Sequence, residues 1–284
     1  MIGVVVLTMG TRQADLAHAL ESLLRQRDVE LDVVVVGNGW TPTDLPEGVR
    51  GLALADNLGI PAGRNAGVPL VGGDLLFFLD DDAVLADDDT LARIARRFAE
   101  HPRLGLVQPR VVDASGRAAP RRWVPRLRVG DPARPGFAMN VWEGAVAIRR
   151  GCFEAAGGWP ATFFYAHEGI DLAWRVWDSG ATVWYAGDIV VNHPAINPTR
   201  HAMYFRLNAR NRVWLALRNL PGPVVPVYLF SWVVITMVRV RSLRDLRTWF
   251  GGFREGFAGG YGERRPMKWR TVVRMALAGR PPVV

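Results

Sequence analysis

The stretch LLFFLDDD, residues 75–82, joins five consecutive apolar residues to three consecutive aspartates. A short apolar run of this kind is typical of a strand buried on both faces, so we expect residues 75–79 to form a central strand. Three adjacent carboxylates at the end of a buried strand repel one another unless a cation neutralises them. Oxygen ligands favour Mg²⁺ or Mn²⁺, so the stretch predicts a divalent metal site. The alternative is a solvent-exposed acidic turn that caps the next helix.

Apolar strands and amphipathic helices alternate on both sides of this stretch. Further strands are predicted at residues 2–7, 31–36, 51–55 and 141–148. Helices are predicted at residues 90–101, 152–156 and 168–179, in a short segment that starts with Pro61, and along a leucine stripe formed by Leu16, Leu20, Leu23 and Leu24. This order predicts an α/β fold, in which a mostly parallel sheet is covered by helices and ligands bind at the carboxyl ends of the strands.

Residues 114–136 interrupt the pattern with four prolines and six arginines, a composition typical of a surface loop. A connection of this length without regular structure is either a functional lid or an ordinary mobile insertion. The sequence leaves both interpretations open.

The composition excludes several classes of protein. The chain has 284 residues, 49% hydrophobic and 22% charged, which excludes a disordered tail, a collagen-like repeat and a disulfide-stapled miniprotein. Cys152 is the only cysteine, so no internal disulfide can form, as expected in a reducing compartment. Residues 1–7 are apolar but too short for a secretory signal, and they lack a basic stretch before them.

The charge is divided unevenly along the chain. Residues 1–199 carry 19 arginines and 24 acids, a net charge of −5, whereas residues 200–284 carry 16 basic residues and three acids, a net charge of +13. A positive field of this size attracts phosphates of nucleic acid, of anionic lipid or of a pyrophosphate-linked substrate. The ratio of 34 arginines to one lysine indicates that genome composition also contributes.

The basic segment, residues 201–284, is predicted to be helical. Residues 202–219 have amphipathic spacing, and residues 224–238 form an uncharged run that contains Tyr228, Phe230 and Trp232. This run is shorter than the about 20 residues of a spanning helix, and prolines limit its extension. Four arginines follow it, namely Arg239, Arg241, Arg244 and Arg247. We therefore expect a segment that lies on an anionic membrane surface; the alternative is a helix packed on the rest of the protein.

Several ordered motifs make the first 215 residues resemble the family 2 nucleotide-sugar glycosyltransferases, which are inverting enzymes of the GT-A fold. The motifs are Thr8 after the opening strand, NLGIPAGRNAG at residues 57–67, the three aspartates, EGA at residues 143–145 followed by Arg150, Phe153 and GGW at residues 157–159, residues 168–175, and His193. The resemblance implies a catalytic domain at residues 1–200, with a nucleotide-sugar half at about 1–110 and an acceptor half at about 137–200. It also implies a nucleotide-diphosphate sugar as the donor.

The resemblance assigns roles to individual residues. Asp80 and Asp82 match the acids of the family's DxD motif, and His193 resembles the histidine that completes the metal or diphosphate site; a structural role is the alternative for this histidine. The implied donor-binding residues are Thr8, Asn38, Asn57, Arg64, Asn65, Asp80, Asp81, Gly144 and Arg210. One departure is GNGW at residues 37–40, where relatives carry an aspartate that recognises the nucleobase. Asp56 is a possible substitute for that aspartate.

A second departure from the family pattern concerns the carboxylate that acts as the catalytic base. The family's Glu-Asp pair is represented by HEGID, residues 167–171, with Gly169 in place of the usual base. Glu168 and Asp171 lie on one helical face, with Arg175 one turn beyond Asp171. We expect Asp171 to pair with Arg175 and Glu168 to act as the base that removes the acceptor proton. The alternative for Glu168 is a charge that stabilises the helix N-terminus.

Two other functions compete with this interpretation. A nucleotidyltransferase that makes nucleotide-sugars would be expected to open with a Gly-rich phosphate loop, which residues 8–13 do not form. A nucleic-acid-binding module would explain the basic segment but not the acidic cluster, so we expect no nucleic-acid partner. No GxGxxG follows a predicted strand, which disfavours a dehydrogenase.

We expect a cytoplasmic enzyme, peripheral on the inner face of the cytoplasmic membrane, whose acceptor is a lipid-linked or cell-envelope glycan; a soluble acceptor is the alternative.

Overall fold

The computed structural model describes residues 1–126, 129–195, 203–279 and 281–282. Within these ranges the strands are β1 Ile2–Thr8, β2 Leu31–Asn38, β3 Val49–Leu54, β4 Leu75–Asp80, β5 Val84–Leu85, β6 Leu104–Val112, β7 Gly136–Phe137, β8 Ala145–Arg149 and β9 Thr182–Asn192. The helices are α1 Gln13–Leu24, α2 Ile60–Gly67, α3 Thr90–Glu100, α4 Arg150–Ala156, α5 Glu168–Ser179, α6 Tyr204–Asn219, α7 Val224–Arg239, α8 Leu243–Gly256 and α9 Trp269–Leu277. The expected boundary near residue 200 and two residues of the 114–136 segment lie outside the described ranges.

One mixed sheet forms the centre of the molecule, with the strand order β3-β2-β1-β4-β8-β6-β9-β5 and with β7 also paired to β9. The first four strands are parallel, as are β6 and β9, whereas β8 runs antiparallel to both of its neighbours. The α/β fold and the central position of β4 are confirmed. The second half of the sheet is less parallel than the sequence suggested, and β6 and β9 were not predicted, because polar residues such as Gln108 and Asp188 interrupt their apolar pattern.

Side chains alternate between the two faces of the sheet and build a hydrophobic core on each. On one face Val4 and Val6 pack with residues of α1 and α3; on the other, Val5 and Leu7 pack with residues of α4 and α5. In α1, the leucine stripe holds for three of its four members, since Leu24 at the helix end is 48% exposed. A helix turns about 100° per residue, so Leu24 has rotated off the buried face.

The C-terminal helices share the second of these cores. Val213 and Trp214 of α6 and Met275 of α9 belong to the same cluster as the sheet residues. α6 and α8 pack closely at Gly252, where the helices leave no room for a side chain. A Cβ added at this position would lie 2.1 Å from the backbone oxygen of Arg206. Among the described residues, no helix has both the length and the apolar character needed to cross a membrane.

One face of α7 is buried and the other is exposed, which corrects part of the expectation for its aromatic residues. Tyr228 is only 1% exposed, and its hydroxyl accepts a hydrogen bond of 3.0 Å from Arg212. Trp232 is partly buried, with the Arg212 guanidinium 3.4 Å from its ring centroid. Phe230, in contrast, is 70% exposed. Of the three aromatics expected at a membrane surface, Tyr228 is therefore a core residue, because its position on the helix faces α6.

Candidate active site

The parallel pairing of β1, β2 and β4 brings polar side chains to one edge of the sheet. Leu7 is opposite Asp80 and Thr8 is opposite Gly37, so these strands end at the same level. Residues that are far apart in sequence therefore meet at the carboxyl ends of the strands, where open α/β sheets bind their ligands.

Asp80, Asp82 and His193 form a set of three ligand groups whose atoms all lie within 4.8 Å of one another. His193 follows β9, and its Nε2 lies 3.0 Å from Asp82 Oδ1. Burial alone would lower the pKa of His193, but the hydrogen bond and the charge of Asp82 raise it. Burial alone would raise the pKa of Asp82, but His193 and Arg12 lower it. The sequence predicted these three residues as metal ligands, and the fold brings them together.

The chemistry of this ligand set fits a divalent cation. Two carboxylates suit Mg²⁺ or Mn²⁺, and the imidazole adds a nitrogen ligand. His193 also packs against two aromatic rings, with the ring centroids of Trp142 and Trp123 at 4.7 and 5.5 Å. Trp123 is 1% exposed and belongs to the 114–136 segment, whose described part is thus anchored beside the ligand set.

Arg12 is a member of the acidic cluster that the sequence analysis missed. It is the N-cap residue directly before α1, and its guanidinium forms ion pairs with both Asp81 and Asp82. Burial would lower the pKa of Arg12, but the two aspartates raise it. The available signal was its position just after β1, at the strand edge that carries the three aspartates.

Asp81 and Arg64 complete the charged surroundings of the cluster. Burial raises the pKa of Asp81 to about 6, although Thr8 Oγ1 donates a hydrogen bond of 2.6 Å to its carboxylate. Arg64 is 1% exposed, and its Nη2 donates a hydrogen bond of 2.6 Å to Asp80. Its Nε and Nη1 are buried and have no hydrogen-bond partner in the described part of the chain. The guanidinium of Arg64 therefore keeps unused donors beside Asp80.

Three asparagines from the predicted donor site organise the backbone near these strand ends. The Asn38 side chain donates a hydrogen bond of 2.8 Å to Asn57 Oδ1 and accepts one of 2.8 Å from the Leu58 amide. The Asn65 side chain forms two hydrogen bonds with the backbone of Trp159, at 2.8 and 3.0 Å. Gly144 lies so close to Asp80 that a Cβ at this position would be 2.6 Å from Asp80 Oδ2. Contacts of these residues with a nucleotide remain predictions.

Arg210 lies in a different environment from the acidic cluster. Its guanidinium stacks on Trp214 at 4.0 Å from the ring centroid, and its Nη2 donates a hydrogen bond of 3.0 Å to the Phe163 carbonyl. Its ion pair in the described residues is with Glu255, at 3.8 Å. The structure thus does not bring Arg210 into ion-pair contact with Asp80, Asp81 or Asp82.

Glu168 and Asp171 both lie in the first turn of α5, and both are buried. Asp171 is fully buried and contacts Arg175 at 3.1 Å, Arg218 at 2.9 Å and Asn219 at 2.6 Å. The predicted pair with Arg175 is confirmed, and the two other partners come from α6. Asp171 therefore links α5 to the C-terminal helices.

The second acid of α5 has few partners. Glu168 is 2% exposed, and its Oε2 has no hydrogen-bond partner in the described residues. Burial and the neighbouring Glu143 raise the pKa of Glu168 to about 8. Burial likewise raises the pKa of Glu143, whose Oε1 accepts a hydrogen bond of 2.8 Å from the Gly169 amide.

The segment that leads into α5 is strained. Phe164, Ala166 and His167 have φ values of 64°, 75° and 71°, which side-chain-bearing residues rarely adopt. Asn211 of α6 holds this segment with hydrogen bonds to three carbonyls, those of Phe163, Tyr165 and Ala166. Backbone strain of this kind persists only where the surroundings fix it, and it clusters at functional sites.

Residues 4–155, more than half of the chain, match the sequence model of Glycosyl transferase family 2. The chain belongs to this family. The matched region contains Thr8, Arg64, the three aspartates and Glu143. Glu168, Asp171 and His193 lie beyond it, and of these three His193 meets Asp82 through the fold.

Curated relatives from Mycobacterium tuberculosis and Mycobacterium bovis are named PGL/p-HBAD biosynthesis glycosyltransferase. They are 30% identical over 166 residues, which cover 55% of this chain and 62% of the relatives. The similarity thus extends over less than two thirds of the relatives' length.

Solved structures of glycosyltransferases share the fold. The S. aureus TarS fragment 1–349 has a TM-score of 0.60 and 16% identity, over 90% of this chain and 80% of that one. GalNAc-T7 with UDP, GalNAc and Mn²⁺ has a TM-score of 0.66 and 14% identity, over 100% and 58% of the two chains. The mannosyltransferase PcManGT from Pyrobaculum calidifontis, with GDP-Man and Mn²⁺, has a TM-score of 0.58 and 17% identity, over 98% and 79%. The predicted family and GT-A fold are confirmed.

Proposed function

We propose that this family 2 protein is an inverting glycosyltransferase that moves a sugar from a nucleotide-diphosphate sugar to an acceptor hydroxyl. The observation that carries the proposal is the set of Asp80, Asp82 and His193 at the strand ends of a family 2 domain. Two solved structures with this fold contain Mn²⁺ together with a nucleotide or a nucleotide-sugar, which supports a donor of this class here.

The residues of the site have separable tasks in this reaction. Asp80, Asp82 and His193 would hold the divalent cation, which when bound offsets the negative charge that develops on the leaving diphosphate. Arg64 donates a hydrogen bond of 2.6 Å to Asp80 and would hold this ligand group in position. Arg12 balances Asp81 and Asp82 as long as no other cation does.

The acceptor hydroxyl must lose its proton during attack on the anomeric carbon, because a neutral hydroxyl is a weak nucleophile. A carboxylate near α5 is the proposed base, with Glu168 the candidate from the sequence. A single displacement then inverts the anomeric configuration, since the new bond forms on the face opposite the leaving diphosphate.

Thermal unfolding with a panel of UDP-, dTDP- and GDP-sugars, each with Mn²⁺, Mg²⁺ or EDTA, tests this function. We expect one nucleotide class to raise the Tm, and only when a divalent cation is present. The same sugar should be released slowly from its nucleotide on incubation. If no nucleotide-sugar raises the Tm and none is cleaved in the presence of Mn²⁺, the proposed function is wrong.

The proposed acceptor is a lipid-linked or cell-envelope glycan, reached at an anionic membrane surface on the inner face of the cytoplasmic membrane. One face of α7 and the start of α8 carry exposed apolar side chains, namely Val227, Phe230, Val234, Met237, Val238 and Leu243. Arg239, Arg241, Arg244 and Arg247 lie along the same segment, are exposed and form no ion pair within the described residues. Apolar side chains flanked by cations are the pattern of a helix that binds an anionic bilayer.

Flotation with liposomes of anionic and of neutral lipid tests the membrane proposal. Each arginine near an anionic surface contributes about 1 kcal/mol, so replacing all four by glutamine should weaken binding on the order of 100-fold or more. A matched control replaces four exposed arginines of the catalytic half, Arg25, Arg27, Arg96 and Arg103, and should bind nearly as the wild type. An equal loss of liposome binding in both variants would show that net charge alone causes the binding. If the wild-type protein does not bind anionic liposomes at low salt, a soluble acceptor is favoured.

A further inference from the structure

The space around Gly169 is occupied by another acid of the chain. A Cβ added at Gly169 would lie 2.5 Å from Glu143 Oε1 and 2.4 Å from the Val141 carbonyl oxygen. The Gly169 amide donates its hydrogen bond of 2.8 Å to the same Glu143 oxygen. The absence of a side chain at residue 169 therefore lets the Glu143 carboxylate sit against the N-terminus of α5, where a negative charge is stabilised.

Three carboxylates lie near this end of α5, and they differ in what they can reach. Asp171 is fully buried and contacts two arginines and an asparagine, so its oxygens are engaged. Glu168 is 2% exposed and lies behind the surface of the protein. Glu143 is partly exposed. Of these three acids, Glu143 is the one that contacts α5 from a neighbouring segment and is not fully buried.

Both neighbours of Glu143 in the chain contact the proposed metal ligands. The Gly144 carbonyl accepts a hydrogen bond of 2.8 Å from the Asp80 amide. The Trp142 ring packs against His193, with centroids 4.7 Å apart. The backbone of residues 142–144 thus runs along the metal ligands, and the position of Glu143 relative to them is fixed at both ends.

We propose that Glu143 is the catalytic base of the reaction, which rests on the proposed function above. Its carboxylate takes the proton of the acceptor hydroxyl while the hydroxyl oxygen forms its bond to the anomeric carbon. The bond from that carbon to the diphosphate oxygen breaks, and its electron pair leaves with the diphosphate. Glu168, whose Oε2 is buried and has no hydrogen-bond partner in the described residues, is then a positioning residue and does not contact the acceptor.

Two acceptors that differ in their need for a base test this proposal: water, which must lose a proton, and azide, which need not. The donor is the nucleotide-sugar that gives the largest Tm shift in the panel. We expect Glu143→Gln to lower the rate of hydrolysis by about 100-fold to 10,000-fold and to leave azide transfer and the donor-induced Tm shift close to wild type. Glu143→Asp, which keeps a carboxylate, should retain part of the hydrolysis.

Glu168→Gln is the matched control, because it removes the neighbouring buried carboxyl. We expect it to affect hydrolysis less than Glu143→Gln does. The proposal is overturned if Glu143→Gln hydrolyses the donor at the wild-type rate, if it loses azide transfer to the same extent as hydrolysis, or if Glu168→Gln alone abolishes hydrolysis. A wild-type protein that cleaves no nucleotide-sugar with either acceptor overturns the proposed function itself, and with it the base.

Discussion

The two ends of the chain use charge in opposite ways. At the strand ends the acids are paired inside the protein: the buried Asp81 and Asp82 with Arg12, and the partly exposed Asp80 with Arg64. In the C-terminal helices the inner arginines are engaged, as Arg218 is with Asp171, whereas the outer arginines 239–247 stay exposed without an ion pair in the described residues. Net charge alone therefore does not predict where a protein offers its charge to a ligand.

The contrast also shows that the basic segment has two faces with different tasks. Its inner face contributes to the core and to the support of α5, through Asn211, Arg218 and Asn219. Its outer face carries apolar and cationic side chains in contact with solvent. Substitutions on the two faces should accordingly change different properties, stability on the inner face and surface binding on the outer face.

The largest effect on stability is expected at the junction between the regions. Asp171→Asn leaves the buried guanidinium groups of Arg175 and Arg218 without their counter-charge, which should lower the free energy of unfolding by about 3–5 kcal/mol. Urea denaturation measures this change in the free energy of unfolding. The control Asp88→Asn breaks exposed pairs with Arg25 and Arg27 and should cost about 1 kcal/mol or less. Similar costs for both variants would contradict a structural link at Asp171.

The next effect concerns the acidic cluster. Asp82→Ala removes one of three ligand groups, so the Mn²⁺ concentration needed for donor-induced stabilisation should rise on the order of 100-fold. The fold should persist, because Arg12 keeps its pair with Asp81. Calorimetric titration with Mn²⁺ in the presence of the nucleotide-sugar measures the change, and Asp87→Ala, an exposed acid after β5, is the control. Unchanged Mn²⁺ dependence in Asp82→Ala would refute the metal assignment.

The buried acid of α5 should make stability depend on pH. The folded-state pKa of Glu168, about 8, lies above its ordinary value of 4.5, so between these values the folded protein holds a proton that the unfolded chain releases. Wild-type stability should therefore fall as pH rises from 5 to 8. The amide side chain introduced by Glu168→Gln cannot titrate, so the free energy of unfolding of this variant should rise by about 2 kcal/mol relative to wild type between pH 5 and pH 8. Some pH dependence should remain in the variant, because Glu143 still titrates. A constant difference at pH 5 and 8, measured by urea denaturation, would contradict the buried acid.

The smallest effect tests the packing of the basic segment on itself. Gly252→Ala places a Cβ against the Arg206 carbonyl oxygen and should destabilise the protein by about 1–2 kcal/mol. Gly251→Ala, one residue earlier in α8, meets nothing within 4 Å and should stabilise the helix by about 1 kcal/mol. Thermal unfolding compares the two variants. The same sign in both would indicate that α8 does not pack closely on α6.

Much of the fold could be predicted because it depends on local patterns. The apolar runs of β1, β2 and β4 are buried on both faces, and α3 buries Leu91, Ile94 and Phe98 as its spacing predicted. Gly180 ends α5 with a φ of 104°, which its sequence position also predicted. β6 and β9 were missed, because their polar residues point to contacts that only the folded chain provides, such as the hydrogen bond from Gln108 to the Trp123 carbonyl.

The candidate site divides in the same manner. The sequence by itself determined the three aspartates at a strand end and the absence of a side chain at residue 169, since both follow from the order of residues. Only the tertiary structure decided that His193 meets Asp82, that Arg12 balances the aspartates and that Glu143 occupies the space at Gly169. These contacts join residues far apart in the chain, and a local pattern carries no information on which distant side chain fills a given space once the strands have paired.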